Sequence, residues 1–107
     1  FVEHEEFPGL PPGKEGLVVF ITMMREAFPD IAVTVNDIIV EGNKLVSRIR
    51  LTGTHSGEFL GIPPTGKRID IQAIDILAFR DGKATEHWGV TDQMAMMQQL
   101  GVVEEPA

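Results

Sequence analysis

The chain has 107 residues, 43% of them hydrophobic, a formal net charge of −7 and no cysteine. That length and apolar content suit one packed domain over 1–107, and the missing thiols exclude disulfides, thiolate metal sites and thiol nucleophiles. Nine scattered Lys and Arg in an acidic chain would repel a phosphate backbone, which excludes nucleic acid as a partner, and the apolar runs 17–24 and 74–79 fall far short of the roughly 20 residues of a bilayer span.

The N-terminus carries Glu3, Glu5 and Glu6 in place of a basic signal-peptide head, so a cytoplasmic location is the default. Pro8, Gly9, Pro11, Pro12 and Gly13 then predict an ordered loop. From Lys14 to Phe28 the apolar residues Leu17, Phe20, Ile21, Met24 and Phe28 recur at three-and-four spacing, which predicts a core-covering helix that Pro29 stops. Two β-rich runs follow, Ile31–Glu41 and Lys44–His55, joined by Gly42-Asn43 in a tight hairpin.

With a two-residue turn Glu41 faces Lys44. Strict alternation then puts Ala32, Ile38 and Val40 on one face with Leu45, Ile49, Leu51 and His55. The other face takes Val33, Val35, Ile39, Val46 and Arg50, with Asp37 opposite Arg48. Both faces are apolar enough to need a cover, and the second predicts a homodimer through the sheet.

Residues 56–67 form a Gly/Pro-rich connection, 68–80 a long strand, Asp81-Gly82 a second hairpin turn and 83–91 its returning strand. The run 93–100 reads as a short helix with Asp92 able to cap it and Gly101 ending it, before a loose tail over 102–107. The order helix, four strands, short helix implies an α+β fold, with helices segregated against a mainly antiparallel sheet.

Pairing Arg80 with Lys83 places Ile71, Ala73, Asp75, Leu77 and Phe79 on one face with Ala84, Glu86, Trp88, Val90 and Asp92. Carboxyl groups among large apolar neighbours are a recipe for a raised pKa and proton transfer near neutral pH. Other readings stay open. Asp92 also reads as a helix cap, Glu86 as a partner of Lys83 or Arg80, Asp75 as part of a buried polar network and Trp88 as core or as a wall beneath a flat ligand. His55 shares the apolar face of its hairpin, whereas alternation turns His87 away, to solvent or a partner subunit. His4, His55 and His87 show no metal-ligand spacing, so no metal is expected.

The run Gly53-Thr54-His55-Ser56-Gly57-Glu58-Phe59-Leu60-Gly61-Ile62-Pro63-Pro64-Thr65-Gly66-Lys67 resembles the SnoaL-like polyketide cyclase (ester cyclase) family. So do Phe79-Arg80-Asp81-Gly82-Lys83, Glu86-His87-Trp88, Asp92 and Gln99-Leu100-Gly101, and upstream Ala27-Phe28-Pro29-Asp30. The resemblance implies the nuclear transport factor 2-like cone, a curved sheet wrapped round helices to leave one deep pocket. It also implies intramolecular aldol chemistry on a small hydrophobic carbonyl compound, without metal or organic cofactor. The aspartate of the family's Trp-x-x-x-Asp element matches Asp92, which would be the acid and base, while His55, Asp75, Trp88, His4, Phe59 and Phe20 are candidates for the substrate wall. Family members usually begin with a further helix and a short strand before the element that His4 matches, and against that pattern the sequence reads either as truncated or as a pared-down member with an opened pocket. The alternatives are a non-catalytic protein binding an apolar small molecule in the same hollow, or a hydrolase or isomerase using it.

Overall fold

The computed structural model describes residues 1–5 and 9–102. In chain order these form β1 (Val2–Glu3), α1 (Gly13–Ala27), β2 (Ala32–Glu41), β3 (Lys44–Thr54), β4 (Arg68–Arg80), β5 (Lys83–Thr91) and α2 (Gln93–Leu100). The strands make one curved, open sheet in the order β1-β5-β4-β3-β2, antiparallel throughout except for β1, which runs parallel to β5. This is the expected α+β architecture. The two-residue β1 escapes the sequence reading because no alternation is legible over so short a span. The expected loose tail lies outside the described residues beyond Val102, and among those described no helix is long and apolar enough to cross a membrane.

Both hairpins carry the predicted turns, and both carry a bulge that alternation cannot foresee. In β2 the register shifts between Val35 and Asp37, so Asn36 is the extra residue. Val33 and Val35 therefore pair with Leu51 and Ile49 and turn to the concave face, while Ala32, opposite Thr52, turns outward. The face predicted for these three residues is thus reversed. In the second hairpin Phe79 faces Ala84 but Ala78 faces Glu86, which makes Thr85 the extra residue. Beyond that bulge every β5 side chain changes face: His87, Gly89 and Thr91 stand opposite Leu77, Asp75 and Ala73, and Trp88 stands opposite Ile76.

The core lies at one end of the molecule, where Met24, Ala27 and Phe28 of the helical segment meet Ile69 and Ile71 of β4, Met96 and Leu100 of α2, and Phe59 from the connection. Phe28 and Phe59 meet edge to face at 5.8 Å. The connection is tied to the end of α1, where the Ala27 carbonyl accepts the N–H groups of Ser56 and Gly57. A Cβ at residue 57 would stand 2.4 Å from the Glu26 carbonyl oxygen, so only glycine lets these segments approach so closely. Asp30 accepts the N–H and hydroxyl of Thr54. These links fix the angle at which α1 spans the sheet and thereby the width of the hollow beneath it.

Candidate functional site

Between α1 and the concave face lies a cavity of about 790 Å³. Leu17, Phe20, Ile21 and Met24 form its helical wall, and Val33, Ile49, Leu51 and Leu77 are among the sheet residues facing them. Polar groups gather at the β1 side, where Glu5, Asp75, His87 and Thr91 all reach the lining.

At that end the imidazole of His87 bridges two carboxylates. Its Nε2 lies 2.7 Å from Asp75 Oδ1, and its Nδ1 lies 2.7 and 2.8 Å from the two oxygens of Glu3. His87 is only 8% exposed and the Glu3 side chain is fully enclosed. Burial pushes the imidazolium down, but the hydrogen bonds to Asp75 and Glu3, with the charges behind them, outweigh it and raise His87 above its ordinary value. The imidazolium form donates from both nitrogens and so satisfies both carboxylates at once. Glu5 enters the cavity just after β1. Burial pushes its carboxyl up against the pull of His87, and the negative charges of Asp75 and Glu3 push the same way, while a hydrogen bond with the Thr91 side chain pulls it down.

The candidates read from sequence divide between four places. Asp75 and Phe20 line the cavity as expected. Trp88 belongs to the outer face, where His4 stacks on it at 4.6 Å with ring planes 4° apart and the Lys44 ammonium lies 5.4 Å from its centroid. His4 also pairs with Glu86 at 2.7 Å, so His4, Trp88 and Glu86 are brought together away from the hollow. The Thr85 bulge is the reason for this reversal. His55 and Phe59 are enclosed in the core, off the cavity wall. His55 Nδ1 accepts the Thr65 N–H at 3.2 Å and meets its hydroxyl at 2.9 Å, bracing the connection from within. Asp92 caps α2, accepting the Ala95 N–H at 3.1 Å, and lines a separate hollow with Ile74, Val90 and Met94.

The residues that sequence reasoning missed are His87, Glu3 and Glu5. One signal was present: a glycine inside an alternating strand, Gly89, marks a bulge or a close approach, and both occur in β5. Glu3, Glu5 and His87 also place one ligand atom each within 4.8 Å of one another, a grouping that spacing along the chain could not show. Both ring nitrogens of His87 are already engaged by carboxylates, so a cation there would have to displace Glu3 or Asp75.

The family model of the SnoaL-like polyketide cyclases matches residues 1–100. Aklanonic acid methyl ester cyclase DnrD of Streptomyces peucetius is 30% identical over 91 residues, covering 83% of this chain and 62% of that protein. Nogalonic acid methyl ester cyclase of Streptomyces nogalater is 25% identical over 95 residues, covering 87% of this chain and 70% of its own. Among solved structures, AclR of Streptomyces galilaeus, a proposed hydroxylase, superposes with a TM-score of 0.88 at 32% identity over 100% of this chain and 67% of that one. TsrD of Streptomyces laurentii superposes with a TM-score of 0.82 at 32% identity, covering 96% and 75%. The chain thus spans about three fifths of the first of these cyclases. Match length, identity and backbone agreement lead to one statement: the chain belongs to the SnoaL-like polyketide cyclase family.

Proposed function

We propose that this chain carries out cofactor-independent acid and base chemistry of the aldol type on a small hydrophobic carbonyl compound. The observation that carries the reading is the Asp75–His87 pair at the polar end of a mainly apolar cavity. Asp75 is the base that removes a proton from the carbon next to a carbonyl, and His87, anchored by Glu3, holds it in place and supplies positive charge beside the developing enolate. The mainly apolar walls of α1 and β3 hold the carbon skeleton. The catalytic role that the family resemblance gave Asp92 passes to Asp75 in this reading, because Asp92 caps α2 outside the cavity wall. The relatives named as methyl ester cyclases support ring closure as the outcome, and the acid and base route is this reading's own. A cytoplasmic setting belongs to the same reading.

The test is exchange of the carbon-bound protons of 2-tetralone for deuterium in heavy water, followed by proton NMR. The protein accelerates exchange, and Asp75→Asn slows it by about 10²- to 10⁴-fold, the usual contribution of a positioned base. Saturable binding of the ketone without accelerated exchange would instead support the non-catalytic binding protein. The reading also includes a homodimer through the outer face, where Ile39, Ile74 and Val90 stand 63%, 49% and 74% exposed in the monomer. Light scattering at micromolar concentration that finds only monomer removes that part.

A further inference from the structure

Strand β5 presents His87, Gly89 and Thr91 in turn to the concave face, so Gly89 is the position from which a side chain would project into the middle of the polar cluster. A Cβ built there would stand 2.5 Å from a Glu5 carboxyl oxygen, 2.8 Å from Asp75 Oδ1 and 2.9 Å from His87 Cε1. The space is already filled, and the filler comes from another part of the chain. Gly89 does not have a positive φ, so its backbone conformation would admit other residues. What requires glycine here is room for the ends of Glu5, Asp75 and His87 together, with the Glu5 carboxyl pressing closest.

Resting on the acid and base reading above, we propose that Glu5 is the acid of this site, complementary to Asp75 as base, and that Gly89 is the notch that admits it. Two carboxyl groups side by side over one glycine, in an apolar cavity, do not both ionise readily. His87 donates to Asp75 and to Glu3, so Glu5 is the group left to keep its proton. The surroundings agree. Glu3 from β1 and Asp75 from β4 repel a charge on Glu5, and His87 and the Thr91 hydroxyl from β5 favour one, but burial is the largest influence and opposes it. From α1 the lining is apolar apart from Arg25.

The chemistry balances without a further reactant. Asp75 takes the carbon-bound proton, the C–H electron pair becomes the enol double bond, and the carbonyl oxygen takes the proton of Glu5. When the enol carbon attacks a second carbonyl of the same molecule, the enol O–H returns its proton to Glu5 as that carbonyl reforms. The new alkoxide takes the proton held by Asp75. Both carboxyl groups end as they began, and the substrate class that uses both is a hydrophobic molecule carrying two carbonyls that can reach one another.

The experiment is the pH profile of 2-tetralone exchange for the native chain and for Glu5→Gln, Glu5→Ala and Gly89→Ala, with carbon-detected NMR titration of the Glu5 carboxyl alongside. Expected is an alkaline limb in the native profile, where Glu5 loses its proton. Glu5→Ala slows exchange by about 10², and Glu5→Gln, whose amide can hydrogen-bond to the carbonyl oxygen but has no proton to give up, recovers little of that loss and has no limb. Gly89→Ala, which crowds Asp75 and His87 as well as Glu5, slows exchange at least as much as Glu5→Ala and returns the Glu5 titration toward its ordinary value. An alkaline limb that survives Glu5→Gln, undiminished exchange in Glu5→Ala, or ordinary titration of Glu5 in the native chain overturns the inference. Exchange that depends on Asp75 but not on Glu5 refutes it alone, whereas absence of exchange in the native chain refutes the acid and base reading with it.

Discussion

Strand β5 presents one ionic cluster to each side of the sheet, and the two differ in environment more than in residue type. On the concave side His87 sits between Asp75 and Glu3, with His87 8% exposed and the Glu3 side chain enclosed. On the outer side His4 pairs with Glu86 at the same 2.7 Å, but both side chains are more than a third exposed. Trp88 and Lys44 lie beside the second pair, and further along the same face stand the exposed Arg48–Asp37 and Arg50–Asp70 pairs. In water such pairs are screened and contribute little, because solvent competes for both partners. In the cavity wall the charges have lost that solvent and are stable only together, which makes the inner cluster costly to break and chemically useful.

The largest expected effect comes from breaking the inner cluster. His87→Ala leaves the enclosed Glu3 carboxylate with the Glu5 N–H but no positive charge beside it and costs about 3 kcal/mol, at the lower end for a broken buried pair because Asp75 still reaches solvent through the cavity. Urea unfolding at pH 7 measures it, and a loss below 1 kcal/mol would mean that the two clusters are equivalent. Next is Asp92→Ala, which removes the cap of α2 and costs about 1 kcal/mol while leaving 2-tetralone exchange unchanged. A collapse of exchange in a well-folded Asp92 variant would return the catalytic role to α2.

A pH series sharpens the contrast further. His87 is raised in the folded state, so the stability it contributes is fully present below its ordinary value of 6.5 and is lost as pH rises through the folded value. Glu5, also raised, contributes with the same sign from its ordinary 4.5 upward. The melting temperature should therefore fall from near-neutral pH into the alkaline range, and His87→Gln should flatten that fall. A slope unchanged by the substitution would dissociate His87 from it. Smallest of all, His4→Ala should cost at most about 1 kcal/mol, and less in 1 M salt. A larger, salt-insensitive loss would show that the outer stack on Trp88 is structural.

The elements themselves were legible. The apolar spacing through Leu17, Phe20, Ile21 and Met24 marks α1, Pro29 follows its end, and Gly42-Asn43 and Asp81-Gly82 set two hairpins whose terminal pairs, Glu41 with Lys44 and Arg80 with Lys83, form as expected. Asp92 as cap and Gly101 as terminator of α2 follow from side-chain and backbone chemistry that acts within one turn. Of the site, Asp75 and Phe20 were legible because neither depends on counting through a bulge.

What local chemistry determined ends where pairing between distant segments begins. Asn36 and Thr85 each add one residue to a strand. Neither is marked by hydrophobicity, since a bulge is set by the twist and curvature of the sheet it joins. One such residue turned His87 into the cavity and Trp88 out of it. The same holds for Glu3, within the two-residue strand that pairs with the edge of β5, and for Glu5 just after it. Fold class, turns and caps thus came from the sequence alone. Which face each side chain of β5 serves, and so which residues meet at the site, was decided by tertiary structure, because a period of two keeps no memory of direction once a single residue is inserted.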